Sequence, residues 1–459
     1  MKKTNHSMLQ GPLLSSILTY TFPIILTSVL QLLFNAADLI VVGRFCGSVS
    51  VAAVGATGAI TNLIINLFIG LSQGAGVTMA HAMGSKNDIA MHRTVHTALP
   101  VALISGAVLT VIGILFSKPL LIMMETPESV LPLSTVYMQI YFGGILFTMV
   151  YNFCASMLRA AGDTKSPLIY LTIAGVVNVV LNLIFVTLFH MNVAGVALAT
   201  TISQGISAFL VVRALMRRTD ACKLDLKQMR FYKIQLGKMV RIGLPAGIQG
   251  SIFSISNVII QSSVNSFGDV MMSGNAASAN IEGFVFVAMN AFHQTATNFV
   301  GQNAGARQYD RIKKILWTCL GSVTVTGLGL GVLAYALGPQ LLSIYITDSA
   351  EAISYGMLRM TYIALPYFLC GLMDVTTGAL RGIGASIQPM IISILGVCGI
   401  RISWIYTIFQ MPAYHTPQCL YLSYAFSWAV TFLCQILAFK IIYRQRLQKI
   451  NSQQIAAPD

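Results

Sequence analysis

Charge is scarce in this sequence. Only 9% of its 459 residues are Asp, Glu, Lys or Arg, against about 25% in a soluble domain. Hydrophobic residues make up 56%, and the mean hydropathy is +0.74. These figures exclude an ordinary soluble domain and call for a membrane protein. Catalytic signatures are missing as well. There is no Walker A loop, HExxH helix, nucleophile elbow or DDxxD-like cluster, so no enzyme and no cofactor is expected. Without a nucleotide-binding loop, uphill transport by this chain would draw on an ion gradient or on a separate subunit. The eight cysteines (46, 154, 222, 319, 370, 398, 419 and 434) form no CxxC or His/Cys cluster. Neither a disulfide framework nor a zinc site is indicated, and they read as packing residues.

What the chain has in quantity is long apolar runs. A span needs about 20 residues, and twelve runs qualify, near 13–43, 49–82, 94–117, 131–158, 166–189, 194–216, 238–266, 272–301, 312–338, 352–380, 387–411 and 418–443. Several exceed the minimum by a turn or more, which predicts tilt or bending. The basic start, Met1-Lys2-Lys3-Thr4-Asn5-His6, precedes a run too long for a leader and without a small-residue cleavage site, so it reads as a retained first span.

The net charge of +14 would suggest nucleic acid in a soluble protein. Here it reads as topology, because Lys and Arg collect in cytoplasmic loops, and no nucleic-acid partner is expected. With the N-terminus inside, every basic residue except Arg44, Lys118, Arg359 and Arg401 falls in an internal loop or tail. The external loops carry Glu125, Glu128, Asp269, Asp348 and Glu351. The expected protein is a multi-pass component of the cytoplasmic membrane with both termini cytoplasmic. The polar stretch Arg217–Arg230 divides the chain six spans from six and reads as a solvated linker facing lipid headgroups. The expected organisation is a tail (1–12), a six-helix bundle (13–216), a basic linker (217–237), a second bundle (238–446) and a tail (447–459).

The two halves are related in sequence. Leu158-Arg159-Ala160-Ala161-Gly162 with Pro167 matches Leu380-Arg381-Gly382-Ile383-Gly384 with Pro389 at an offset of 222. Pro23 and Pro245 are also 222 apart, and Gly84-Ser85-Lys86 answers Gly305-Ala306-Arg307 at 221. With an even number of spans, the halves enter the membrane in the same sense, as in transporters that bind substrate between parallel repeats.

Three acidic residues lie well inside predicted spans: Asp38, Glu282 and Asp374. A carboxylate at membrane depth costs at least about 2.5 kcal/mol, and such residues generally serve function. For Asp38 the plain alternative is a structural hydrogen bond to a neighbouring helix. Its expected partners are Asn178 and Asn182, which share a helix face at i, i+4, and the hydroxyl of Thr200. One carboxylate, two amide oxygens and a hydroxyl suit a small hard cation such as Na⁺, and the same cluster could hold a protonated Asp38. Interhelical glue is the plain alternative for the asparagines. In the second half, Arg401 is expected to pair with Glu282 or Asp374, relieving both burial costs. Glu282 is the better candidate of the two acids for a cationic substrate or a second proton. Asn257, Gln261 and Asn265 recur at i, i+4, i+8, so one face of the seventh span is hydrophilic.

These residues give the chain a resemblance to the multidrug and toxic compound extrusion (MATE) family of secondary transporters. It is carried by Gly11-Pro12, the Gln31…Asn35…Asp38…Gly43 pattern, Gly301-Gln302-Asn303-Ala304-Gly305, the paired Leu-Arg-x-x-Gly turns and Gly195-Val196-Ala197-Leu198-Ala199-Thr200. The resemblance implies an all-α polytopic fold with twelve transmembrane helices, arranged as two pseudo-symmetric six-helix bundles in a V. It also implies drug efflux coupled to entry of H⁺ or Na⁺, with a cation site at Asp38, Asn178, Asn182 and Thr200. Asn182 stands where one branch has an aspartate. The second cation site of another branch does not carry over, because the seventh span has no acid.

The resulting expectation is a monomeric antiporter that exports amphipathic, cationic compounds from within membrane lipid. Its cation site is Asp38, Asn178, Asn182, Thr200 and Asn35, and its substrate-cavity candidates are Gln31, Glu282, Asn257, Gln261, Asp374 and Arg401. A flippase for a lipid-linked precursor is the alternative within transport and would need a more cationic cavity. An intramembrane enzyme or passive channel is the alternative of another class. An enzyme would show paired acids with metal spacing, and a channel would not accumulate substrate against a gradient.

Overall fold

The computed structural model describes residues 8–347 and 349–455. The basic residues at the start of the chain, Asp348 and the last four residues lie outside the described residues. Among those described there are helices and turns and no strand. In order the helices are α1 (Leu13–Phe45), α2 (Ser48–Gly84), α3 (Asp88–Met123), α4 (Leu131–Gly143), α5 (Ile145–Ala160), α6 (Lys165–Leu183), α7 (Asn192–Met216) and α8 (Lys233–Asn265). They continue with α9 (Asp269–Gly305), α10 (Tyr309–Ala336), α11 (Gly338–Tyr345), α12 (Ala350–Arg359), α13 (Tyr367–Gly382), α14 (Ile387–Ser393), α15 (Ile400–Tyr406) and α16 (Pro417–Ile455).

Short π-helical turns extend α6 (Ile184–Leu188), join α12 to α13 (Met360–Ala364) and join α14 to α15 (Ile394–Gly399). Each wide turn keeps the backbone hydrogen-bonded while shifting the helix face, as membrane-buried backbone requires. Among the described residues, ten helical stretches are long and apolar enough to cross a membrane, and the α4–α5 pair, bent by 45°, makes an eleventh. The twelfth expected span, α9, has 37 residues but is more polar. Its Asn275, Glu282, Asn298, Gln302 and Asn303 are all buried, so they are matched to protein partners and not to lipid. The short α11 was not anticipated from the apolar runs.

The internal repeat is visible in the backbone. α2 and α9 have the same length, and so do α5 and α13. Gly162 and Gly384, which end the paired Leu-Arg turns, both take the left-handed conformation at φ +90° and +92°. Lys86 and Arg307, also a repeat pair, adopt it too, at 51° and 59°, although a side chain there costs about 1–2 kcal/mol. The fourth span bends at Gly144, and its counterpart 222 residues on is Pro366, two residues past the end of the π-turn of the tenth.

By contacts the described chain forms two units, Phe22–Ser251 and a second made of residues 8–21 with 252–455. In unit 1, α3 and α2 pack on α5 around Met79, Val95, Phe153, Cys154 and Leu158, all buried. The start of α8 crosses α2 through Gly70 and Gly74 on one side and Gly243 and Gly247 on the other. A Cβ on Gly70 would lie 2.2 Å from the Gly247 backbone nitrogen. This is small-xxx-small packing, in which missing side chains let helix backbones touch.

The stretch after α7 differs from the expected solvated linker. Cys222 and Leu224 are each 1% exposed and pack against the unit 1 core. The Leu224 N–H donates to the Leu215 carbonyl at 3.1 Å, and the Asp225 N–H to His96 Nε2 at 3.0 Å. The basic side chains Lys223, Lys227 and Arg230 do face outward. Two apolar residues within a basic run are enough to fold it down as a strap.

In unit 2, α9 packs along α13 and α10. The Gly301–Gly305 motif holds the beginning of the chain. Buried Asn303 donates to the Met8 carbonyl at 3.1 Å and to Phe299 at 2.8 Å, while Asn298 donates to the Tyr20 hydroxyl at 2.9 Å.

Candidate functional site

In unit 1, α1, α6 and α7 bring together four of the expected site residues. Asn182 Nδ2 donates to Asp38 Oδ1 and, at 3.3 Å, to Asn178 Oδ1. Thr200 Oγ1 donates to Asp38 Oδ2 at 3.4 Å, and Asn178 Nδ2 reaches Thr200 Oγ1 at 3.3 Å. Asn178 and Asn182 are 4% and 0% exposed, on the inner face of α6. The i, i+4 spacing stacks them one turn apart, and α6 continues as α-helix until just past Asn182 before the π-turn begins.

Among the described residues, the polar groups bonded to Asp38 are the Asn182 amide and the Thr200 hydroxyl, and no basic side chain is one of them. The carboxylate is therefore held by dipoles and not by a fixed positive charge. Asn182 Oδ1 is buried and has no hydrogen-bond partner. Asn35 is exposed one turn before Asp38, and Gln31 is exposed a turn earlier; neither is a hydrogen-bond partner of the carboxylate.

One neighbour lay outside the expected set. Tyr137 on α4 lies within electrostatic range of Asp38, stacks with Tyr141 at 6.3 Å and packs with Val41, Val42 and Val196. Nothing marks this tyrosine in sequence, since aromatics are common in apolar runs. The usable signal is its i, i+4 spacing from Tyr141, which places two hydroxyl-bearing rings on one face.

Unit 2 is built around a different electrostatic solution. The expected pairing of Arg401 with Glu282 or Asp374 does not occur. Glu282 is bound by Arg359, with Nη2 to Oε2 at 2.8 Å and Nε to Oε1 at 3.1 Å. Ser278 donates to the same carboxylate at 3.0 Å. Arg359 Nη1 donates to Asn275 Oδ1 at 2.7 Å, which also accepts from Tyr421 at 3.1 Å. The physical reason is azimuth. Arg359 ends α12, which packs on α9, so its fork lies in line with the carboxylate, whereas span-level reasoning gives depth but no direction around the helix axis.

Gln261 joins this network by accepting from Asn275 at 3.3 Å and donating to Asn265 at 2.9 Å. Asn257, Gln261 and Asn265 are all exposed, consistent with one hydrophilic face on α8. Asp374 is half-buried and lies in the field of Arg381. Its backbone carbonyl accepts from His293 Nδ1 at 2.7 Å, leaving Nε2 toward Arg381 Nη1 at 3.5 Å. The arginine of the second Leu-Arg turn is thus steered by a buried histidine.

No group of three or more potential ligands with metal-binding geometry occurs among the described residues. A duplicated, many-spanned helical protein whose one repeat holds a carboxylate with no basic partner among the described residues has the architecture of a membrane transporter. Comparison with known proteins places it more closely. The MatE family model matches residues 23–184 and 245–407, one block in each repeat, and the chain belongs to that family. It is 29% identical over 393 residues to the probable multidrug resistance protein YpnP of Bacillus subtilis, covering 85% of this chain and 87% of that protein. Its identity to the probable multidrug resistance protein YoeA of the same organism is 28% over 392 residues, covering 83% and 84%. A solved outward-facing multidrug resistance MATE family transporter superposes with a TM-score of 0.90 at 20% identity, covering 98% of this chain and all of the other. The protein is a membrane transporter and not an enzyme.

Proposed function

We propose that this transporter exports amphipathic small molecules across the cytoplasmic membrane in exchange for a cation, H⁺ or Na⁺, bound at Asp38. The observation that carries the reading is a carboxylate at membrane depth held, among the described residues, by Asn182 and Thr200. A charge so placed is stable only when something neutralises it. A proton does so directly. A Na⁺ ion would use the carboxylate with the oxygens of Asn178, Asn182 and Thr200, since hard cations prefer oxygen donors. The Asn182 amide serves either case by rotation: its NH₂ faces the ionised carboxylate, and its unpartnered Oδ1 can accept from a protonated one or ligate a cation.

Exchange follows if cation and substrate favour different states of unit 1. Each then weakens the other by the same factor, because coupling free energies are reciprocal. The names of the similar proteins support drug-like cargo. The one-sided distribution of Lys and Arg supports cytoplasmic termini. The chain is read as working as a monomer in lipid.

The test is dye efflux from everted vesicles under separately imposed pH and Na⁺ gradients, with wild type and Asp38→Asn. The variant should express and insert normally yet lose gradient-driven efflux. Normal efflux by Asp38→Asn would overturn the proposal.

A further inference from the structure

We propose that unit 2 carries a binding subsite for an oxyanion, a carboxylate or phosphate borne by an aromatic substrate, centred on Arg401. The subsite deepens the transporter reading by giving the cargo a charge preference. Arg401 on α15 is 4% exposed. Its Nε donates to Ser427 Oγ at 2.9 Å, and Ser427 in turn donates to the Tyr424 carbonyl at 2.8 Å. Nη2 is buried with no partner.

The ionisable groups acting on this guanidinium are Tyr424, Cys370, Cys398 and Tyr367, and no carboxylate is among them. Glu282 is committed to Arg359, and the charged residue acting on Asp374 is Arg381. Among the described residues Arg401 is thus a buried cation without a counter-ion, the converse of Asp38 in unit 1. Such a charge is costly until paired, and the planar fork suits a carboxylate or phosphate in two-point contact.

The surroundings specify the rest of the ligand. The guanidinium carbon stands 4.1 Å over the Tyr424 ring and 5.4 Å from that of Trp428. Tyr367 lies 5.2 Å from Trp428, centroid to centroid. Tyr367 and Tyr424 are half-buried, so the aromatic wall extends outward from the charge it partly neutralises. A flat molecule bearing an anionic group can stack on that wall and direct its oxyanion at the unpartnered Nη2 of Arg401. Arg359 does not compete, because its fork is already filled.

The test uses a matched dye pair: a rhodamine with a free benzoate, and its methyl ester, which differs only by masking that charge. Equilibrium binding to purified protein in nanodiscs of zwitterionic lipid keeps the outcome independent of coupling at Asp38. The expected result is at least tenfold tighter binding of the free acid by wild type, loss of that preference in Arg401→Gln with ester binding unchanged, and retention in Arg401→Lys. Equal binding of acid and ester by wild type overturns the subsite, as does an unchanged preference in Arg401→Gln. If Arg401→Gln does not fold, the wild-type and Arg401→Lys ratios decide. Transport of neither dye in vesicles, with the binding preference intact, would count against the exporter reading and leave the subsite standing.

Discussion

The amide of Asn182 donates to the carboxylate of Asp38, 144 residues earlier in the chain. The bond ties α1 to α6 and supplies the nearest counter-dipole to a carboxylate that has no cationic partner among the described residues. Hydrogen bonds to charged groups contribute about 1.5–3 kcal/mol, and roughly 1.4 kcal/mol is tenfold in affinity. Asn182→Ala should therefore shift the coupling-ion concentration for half-maximal efflux by about tenfold or more. Thr200→Ala removes a longer contact of 3.4 Å and should shift it less. Ion titration of dye efflux in the two variants reads the order directly, and a larger effect from Thr200 would contradict it.

Much of this site was legible in the sequence because its members are conspicuous. Asp38 is a charge in an apolar run, and Asn178 and Asn182 are two amides four apart in another. The paired turns were legible too, because Gly162 and Gly384 mark backbone that other residues avoid. Direction around a helix axis was not. Arg359 reads as a basic residue within a span, with no partner marked, and only the packing of α12 on α9 shows that it faces Glu282. The burial of Cys222 and Leu224 was hidden for a similar reason: neighbouring charges dominate the composition of a segment whose few apolar residues decide where it lies.

The Glu282–Arg359 pair gives a stability prediction. Both groups are buried, and Ser278 and Asn275 complete the hydrogen bonding that the pair leaves open. Removing one partner strands a charge, at about 3–5 kcal/mol, whereas replacing both with apolar residues is often neutral. Glu282→Met should lower the thermal midpoint in detergent sharply, and adding Arg359→Met should recover most of the loss. Additive losses in this double-mutant cycle would show that the two side chains act independently.

At the crossing of α2 and α8, space and not charge is limiting. A Cβ on Gly247 would lie 2.2 Å from the Leu67 carbonyl oxygen, and backbone atoms cannot step aside as a flexible side chain can. Overpacking of this kind costs about 1–3 kcal/mol and sometimes more. Gly247→Val should reduce stability or yield of the folded protein. Gly237→Val, at a glycine whose Cβ would meet nothing within 4 Å, serves as the control and should be tolerated. Equal tolerance at both positions would mean that the helices can separate at little cost.

The strap after α7 offers a last test, because two different forces hold it. Arg218 pairs with Asp220 through a forked contact and holds that carboxyl below its usual range. The contribution of Asp220 is therefore present at neutral pH and is lost only as pH falls through the depressed folded-state value. The pair is partly solvent-exposed, and such pairs contribute no more than about 1 kcal/mol. Leu224, at 1% exposure, is worth about 2–5 kcal/mol against alanine. Beneath the strap the Cys222 thiol is pushed up to about 12 by burial, so a thiol reagent must wait for the strap to open. In a background where Cys222 is the sole cysteine, Leu224→Ala should speed its labelling by more than tenfold at neutral pH. Arg218→Ala should speed it by less than tenfold. The opposite order would mean that the ion pair, and not the buried leucine, keeps the strap closed.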